Sequence, residues 1–311
     1  MKKYFLITTA LAGLSSFYSC DKVENPIKPA ITLDTTFFPG NWEDYPSPTF
    51  VANTNSNRNI LLEDYTGHRC PNCPAAGYTA KAIHDGNPER IFVASIHATP
   101  GGIGNFQNAA SSCGTVSNPN NEFCTIFYNN ESIAYGSAFN GGGYGFIGNP
   151  QGNINRITFA GSTMFQYHND WAARCTEVLN ANELKVNIQA QSNYYLETNG
   201  LYLHTEIEFL ADLSNGSYNT VVYLMENETE DFQDSAGVVV EDYKHHDIFR
   251  GCLDGLPWGR AILGETTTGS KSYYDYSFGL PAGKLNTDYH LLIYVYDVAT
   301  YEILQVIKHE F

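Results

Sequence analysis

Between Ile60 and Ile96 the sequence changes periodicity twice, in a way that few architectures can satisfy. Ile60-Leu61-Leu62-Glu63-Asp64-Tyr65 is a short apolar run stopped by Gly67, as expected of a buried strand. Pro74-Ala75-Ala76 then opens a helix, because proline is tolerated in a first helical turn. Ala80, Ala82 and Ile83 supply that helix with an inward face, and Gly86-Asn87-Pro88 ends it. Ile91–Ile96 reads as a second buried strand. Strand, helix and strand within about 40 residues make a βαβ unit, which requires parallel strands. At the junction of the first strand and the helix stands Cys70-Pro71-Asn72-Cys73.

Downstream the pattern loosens and then changes. Thr99 to about Gly145 is a long Gly/Asn/Ser-rich insertion holding Cys113 and Cys124, with Phe123, Ile126 and Phe127 expected on a helix inside it. Asn153–Ile157 reads as a further strand. Trp171, Cys175, Val178 and Leu179 mark one face of a closing helix. From Leu184 the period becomes two: Leu184, Val186, Ile188 and Ala190 alternate with polar residues. Six more short strands are expected at Tyr202–Leu210, Thr220–Met225, Val238–Asp242, Ser272–Phe278, Leu291–Val298 and Ile303–Lys308. Seven short strands with turn residues between them predict an antiparallel sandwich.

The amino-terminus reads as an address. Lys2 and Lys3 precede the mostly apolar Tyr4–Phe17, and Cys20 is followed at once by the polar Asp21-Lys22-Val23-Glu24. This arrangement resembles a bacterial lipobox, which implies lipidation of Cys20 and a membrane attachment through that anchor. Residues 1–19 are then a leader. Residues 20–57, rich in Pro, Asn, Thr and Ser, form either a tether or an extended segment lying over a domain. With 17 Lys+Arg against 33 Asp+Glu, the formal charge of −16 repels phosphate backbones and argues against nucleic-acid binding.

Chemistry concentrates at the cysteine pair. A two-residue spacer lets two thiols close a tight disulfide, or exchange one. A thiol at a helix start is favoured as thiolate by the unpaired N–H groups and the helix dipole, and His68 and Arg69 are expected to add positive potential. Three readings stay open for Cys70 and Cys73: redox exchange, a permanent structural disulfide, and metal binding. The last is disfavoured because no second CxxC or close His pair completes a ligand set; no metal or organic cofactor is expected. Without Cys20, six cysteines remain, and Cys113 and Cys124 are placed to staple the insertion. Cys175 and Cys252 pair only where the two halves touch; otherwise each is a buried thiol.

Other polar residues read as structural. His245 and His246 are neighbours on a strand and point to opposite faces, one inward and one to solvent. Arg250 is expected to pair with Asp242 or Asp247. The tyrosines at 194, 195, 273, 274, 276, 294 and 296 suit sheet packing, and exposed members suit glycan or protein binding.

The run Leu62 to Pro74, through Asp64 and the two cysteines, resembles the active-site segment of thioredoxin-like proteins. On that resemblance Asp64 is the buried carboxylate that assists proton transfer, and Gly148-Asn149-Pro150 is the cis-proline loop facing the disulfide. The aromatic residue that usually precedes such a motif is replaced here by His68-Arg69. More broadly, three segments resemble the outer membrane protein twenty-eight family of Bacteroidetes lipoproteins. They are Tyr65–Pro74, Asn149–Arg156, and Val222–Glu226 leading to Asp242–Arg250 with Trp258-Gly259 beyond. The resemblance implies an outer-membrane location, on a leaflet the sequence does not name.

The resulting expectation is an α/β plus all-β chain. Residues 58–181 form a thioredoxin-like domain with an insertion, and residues 182–311 an antiparallel β-sandwich of immunoglobulin-like type. Its function is thiol–disulfide exchange on exported or surface proteins, with Cys70, Cys73, Asp64 and Pro150 as the site. The competing expectation is an interaction protein in which the CxxC is a structural disulfide and the sandwich binds partners. A Cys70 buried under the 99–145 insertion fits the second; an exposed one beside a cis Pro150 fits the first.

Overall fold

The computed structural model describes residues 33–141 and 143–311. The expected leader 1–19, Cys20 and the start of the 20–57 segment lie outside the described residues. In chain order the elements are β1 (Ile60–Thr66), α1 (Cys73–Gly86), β2 (Ile91–His97), α2 (Asn130–Ala138), β3 (Gln151–Ile154) and α3 (His168–Ala181). Then follow β4 (Val186–Tyr195), β5 (Gly200–Phe209), β6 (Tyr218–Ser235), β7 (Val238–Cys252), β8 (Arg260–Ala261), β9 (Lys271–Gly279), β10 (Tyr289–Asp297) and β11 (Ile303–His309). The chain is mostly β with few helices, arranged around two sheets.

The larger sheet has eight strands in the order β11-β10-β6-β7-β2-β1-β3, with β8 paired to β6; the smaller is β4-β5-β9. β1 and β2 are parallel, with Ile60 opposite Ile91 and Thr66 opposite His97, and β3 is antiparallel to β1. β6 and β7 form an antiparallel hairpin far longer than the strands expected at Thr220–Met225 and Val238–Asp242. Their outer halves, around Glu228–Asp234 and Val239–Asp247, carry few apolar residues, so the sequence reveals only Val238–Asp242 of them; the backbone ladder holds the rest. The hairpin runs back toward the amino-terminal half, and β7 meets β2 in parallel at Ile248 and Ser95. Strands from both halves of the sequence therefore share one sheet.

Alternation along β1 assigns its two faces. Ile60 and Leu62 join Val93, Ile154, Ala76, Ala80, Trp171 and Val178 in a core beneath α1 and α3. Leu61 and Tyr65 join Phe92, Ile96, Tyr135, Phe139, Phe165, Tyr223, Phe249 and Tyr294 on the opposite face. β6 and β10 are buried on both faces: Tyr223 and Tyr294 point into this aromatic core, while Val222, Leu224, Leu291 and Ile293 pack on the smaller sheet. At Gly152 the close approach is obligatory, because a Cβ there would sit 2.5 Å from the Glu63 carbonyl oxygen and from the Trp171 ring.

Two local expectations are corrected. Phe123, Ile126 and Phe127 are not helical; the helix begins later, where the Asn129 side chain accepts from the Ser132 amide at 2.8 Å. The Thr125–Tyr128 run is β-branched and aromatic, which disfavours helix, whereas Asn129 is a strong N-cap. Arg250 pairs not with Asp242 or Asp247 but with Glu226, at 2.6 Å, across the β6–β7 ladder. Cys113 and Cys124 form a disulfide in the insertion, and Cys175 and Cys252 are buried free thiols. Residues 33–57 lie along the smaller sheet as a strap, held by Gln189, Gln191 and Asn193 of β4, which donate to the carbonyl oxygens of Val51, Thr49 and Pro46.

Candidate functional site

β1 delivers the chain to the cysteine loop, and α1 begins at Cys73 with Pro74 in its first turn. Cys70 and Cys73 form a disulfide with Cα atoms 5.4 Å apart. Both are buried, at 1% and 2% exposure. Two layers cover them. The insertion contributes the Phe106 carbonyl oxygen, which accepts from the Arg69 amide at 3.1 Å, and the Asn108 carbonyl oxygen, 3.3 Å from His68 Nε2.

The tip of the β6–β7 hairpin is the second layer, and it reads the loop carbonyl by carbonyl. Gln233 Nε2 donates to the carbonyl oxygens of Cys70 at 3.2 Å and Gly67 at 3.4 Å. The Asp234 amide donates to His68 at 2.8 Å and the Ala236 amide to Pro71 at 2.9 Å. Ala236 and Gly237 both have positive φ, 55° and 85°, the geometry of a tight two-residue hairpin turn. That turn aims the Ala236 N–H outward at the cysteine loop.

Behind the disulfide lies a cavity of about 70 Å³ lined by Asp64, Thr66, Cys73, Ser95, His97 and Gln233, among others. Asp64 and Thr66 lie opposite Ser95 and His97 in the β1–β2 register, so all four share the α1 face. Asp64 is buried and its Oδ1 has no hydrogen-bond partner. Burial alone pushes its carboxyl up to about 7, so near neutral pH it can both hold and release a proton. The space is enough for a few waters.

Three histidines gather beside this cavity on the ring of Phe127. Centroid distances to that ring are 4.8 Å for His97, 4.7 Å for His245 and 5.5 Å for His68. Both ring nitrogens of His97 lack partners. Burial pulls His68 and His245 down to about 4 and His97 well below its ordinary value. The expected positive contribution of His68 is therefore corrected: it is neutral at physiological pH, and Arg69 alone supplies charge there. His245 is buried and His246 half-exposed, as the strand alternation requires.

The Asn149–Pro150 peptide bond is cis. Asn149 Nδ2 donates to the carbonyl oxygens of Tyr65 and Ala98, both at 2.8 Å, fixing this loop at the carboxyl ends of β1 and β2. Just beyond β3, Arg156 forms a bidentate pair with Glu63, Nη2 to Oε1 at 2.6 Å and Nε to Oε2 at 3.0 Å. Both side chains are fully buried. Arg156 Nη2 also donates to the hydroxyls of Tyr223 and Tyr294, tying β1 and β3 to β6 and β10. Sequence reasoning missed this pair, the hairpin cover and the histidine cluster. The available signal was the polar density of Asn149–Arg156 and Asp242–Arg250, two segments too polar for ordinary sandwich strands.

Residues 140–311 match the family model described as outer membrane protein Omp28. No curated protein matches. Among solved structures, HBP35 of Porphyromonas gingivalis aligns with a TM-score of 0.60 at 16% identity, over 82% of this chain and 76% of that one. That likeness is one of fold. A domain of the outer membrane lipoprotein Omp28 from Porphyromonas gingivalis aligns with a TM-score of 0.28 at 22% identity, over 41% of this chain and 88% of that one.

Proposed function

Taking as premise that the chain belongs to the outer membrane protein Omp28 family, we propose that it is an envelope protein whose Cys70–Cys73 pair exchanges disulfides with exported polypeptides. The pair sits in a thioredoxin-like site: a strand, the CxxC, a helix and a parallel strand, with Pro150 on the neighbouring loop. A lipid on Cys20 holds the molecule at the outer membrane. An immunoglobulin-like sandwich of residues 182–311 carries the cover and the partner-binding surfaces.

Asp64 is the observation that carries this reading. A structural staple needs no carboxyl, and burying one without a partner is costly. Here it opens into the same cavity as Cys73. In the oxidised state a substrate thiolate attacks Cys70 Sγ, forming a mixed disulfide and releasing Cys73 as thiolate, which takes a proton from Asp64 through cavity water. A second substrate thiolate then attacks the mixed disulfide, and Cys70 leaves. Two electrons pass from the substrate dithiol to the pair; reduced protein runs the same steps backward.

The staple reading is favoured by one specific observation, the burial of both sulfurs. Exchange therefore requires the β6–β7 tip to lift. The test is to trap the intermediate. Cys73→Ser, checked for folding by circular dichroism, is reduced and mixed with an unfolded, disulfide-bonded exported protein. A mixed disulfide through Cys70, absent in Cys70→Ser, supports exchange; a folded Cys73→Ser that traps nothing leaves the staple.

A further inference from the structure

Apart from the cysteine site, with which it shares no lining residue, the strap of residues 33–57 and the smaller sheet flank a cleft of about 530 Å³ that the exchange reading does not use. That volume lies within the ordinary range of small-molecule sites. Its floor is two adjacent cross-strand pairs on the outer face of β5 and β9: His204 opposite Asp275, and Glu206 opposite Tyr273. Its walls are aromatic. Trp42 and Tyr45 stack at 4.5 Å at one end, and Phe50 lies 6.2 Å from Tyr273 at the other.

These groups are held in place before any ligand arrives. His204 bridges Asp275 Oδ1 through Nδ1 and the Tyr45 hydroxyl through Nε2, each at 2.7 Å, and Asn193 Nδ2 donates to the same hydroxyl at 2.9 Å. Glu206 is fixed by Gln189, Lys271 and Tyr273. Yet ring surface and acceptor atoms remain open. Trp42 is 36% and Tyr273 59% exposed, and the Asp275 side chain is 54% exposed. Trp42 packs on Phe38, Tyr45 and Tyr202 and still shows part of its ring, and Tyr273 faces the cleft beside the exposed Asp275 carboxylate.

We propose that this cleft binds a neutral saccharide. The C–H faces of a pyranose ring match flat aromatic surfaces, and its hydroxyls match the exposed Asp275 carboxylate and the Tyr273 hydroxyl, fixed in advance by His204 and Glu206. Among the described residues at the cleft, Asp275 and Glu206 outweigh Lys271 and disfavour anionic ligands such as phosphates or uronates. The site is independent of the cysteine pair and stands or falls separately from it.

The test is calorimetric titration of the chain lacking residues 1–20 with maltotriose, cellotriose and diacetylchitobiose, alongside tryptophan emission. Of the three tryptophans only Trp42 lines the cleft; Trp171 lies in a core and Trp258 packs, partly buried, against another. Saturable binding of at least one sugar is expected, with a shift in emission. Affinity should fall about tenfold or more in Asp275→Asn, roughly 1.4 kcal/mol, and be lost in Trp42→Ala. The Cys70→Ser/Cys73→Ser variant should bind as the parent does. No saturation by any of the three sugars up to about 10 mM, far weaker than ordinary sites, would overturn the proposal. So would binding that survives both cleft substitutions.

Discussion

Gln233 donates its side-chain amide to the carbonyl oxygen of Cys70 at 3.2 Å, so a residue 163 positions later in the chain closes the cover over the cysteine loop. It is the one side chain that the hairpin inserts into that loop, and its amide also reaches Gly67. Gln233→Ala removes these bonds, at about 0.5–1.5 kcal/mol each, while the Cys70 and Cys73 amides still donate to the two carbonyls. The covered state should open about 5- to 100-fold more often. Reduction of Cys70–Cys73 by dithiothreitol, followed by quenched alkylation, should quicken by that factor. A rate changed less than about twofold means that something else covers the pair.

Asp64 makes a prediction of definite sign. In the folded protein burial holds this carboxyl up to about 7, above its ordinary 3.8, so the folded protein keeps the extra proton between those limits. The stabilisation is complete below about pH 4 and is lost as pH rises through 7, about 4 kcal/mol in all. Asp64→Asn should therefore match the parent near pH 4 and exceed it by roughly 2–4 kcal/mol at pH 8 in urea unfolding. Disulfide exchange by the same variant should slow about 10- to 100-fold, because the proton donor to Cys73 is gone. A variant more stable yet equally fast would separate the carboxyl from the chemistry.

The histidines act with the opposite sign. His68 and His245, pulled from 6.5 to about 4, stay neutral in the folded protein while the unfolded chain takes up protons. Each costs about 3 kcal/mol as pH falls from 6.5 to 4, outweighing together the gain from Asp64. His97 adds in the same direction. His245→Phe, which keeps a ring against Phe127, should flatten the acid limb of thermal unfolding between pH 6.5 and 4. An acid limb of unchanged slope would remove His245 from this account.

Arg156 is the tie between the two halves of the larger sheet. Arg156→Leu strands Glu63 in the core and should cost about 3–5 kcal/mol, measured by urea unfolding. The double variant Glu63→Leu/Arg156→Met should recover at least half of that, because no uncompensated charge remains. If the double variant is as damaged as the single one, the five aromatic rings around the guanidinium, not charge compensation, hold this centre.

What the sequence disclosed follows from which forces are local. β1, α1, β2 and α3 are written in apolar spacing and in Pro74 and Gly86, and the structure places all four where the periodicity does. All seven strands expected after Leu184 exist, six of them with an apolar face to bury and Val238–Asp242 exposed in the hairpin. The outer half of the β6–β7 hairpin needs none, being held by its ladder, and so its reach over Cys70 was invisible. Cys70, Cys73 and Asp64 were legible because their spacing is local. Gln233, His97 and Phe127 were not, since the β6–β7 hairpin, the β1–β2 pairing and the fold of the insertion bring them near the cysteines. Trp42 and Tyr45, in a segment rich in proline and asparagine, gave no sign that they would face His204 and Asp275 on a sheet far along the chain.

The reduction potential of Cys70–Cys73 tests the central claim most directly. The chain lacking residues 1–20 is equilibrated in graded glutathione or dithiothreitol buffers, alkylated, and read by mass spectrometry. The account predicts a potential of roughly −120 to −270 mV, with Cys70 alkylated before Cys73. A value below about −300 mV, or a pair reducible only once the protein unfolds, contradicts it and makes the disulfide a staple.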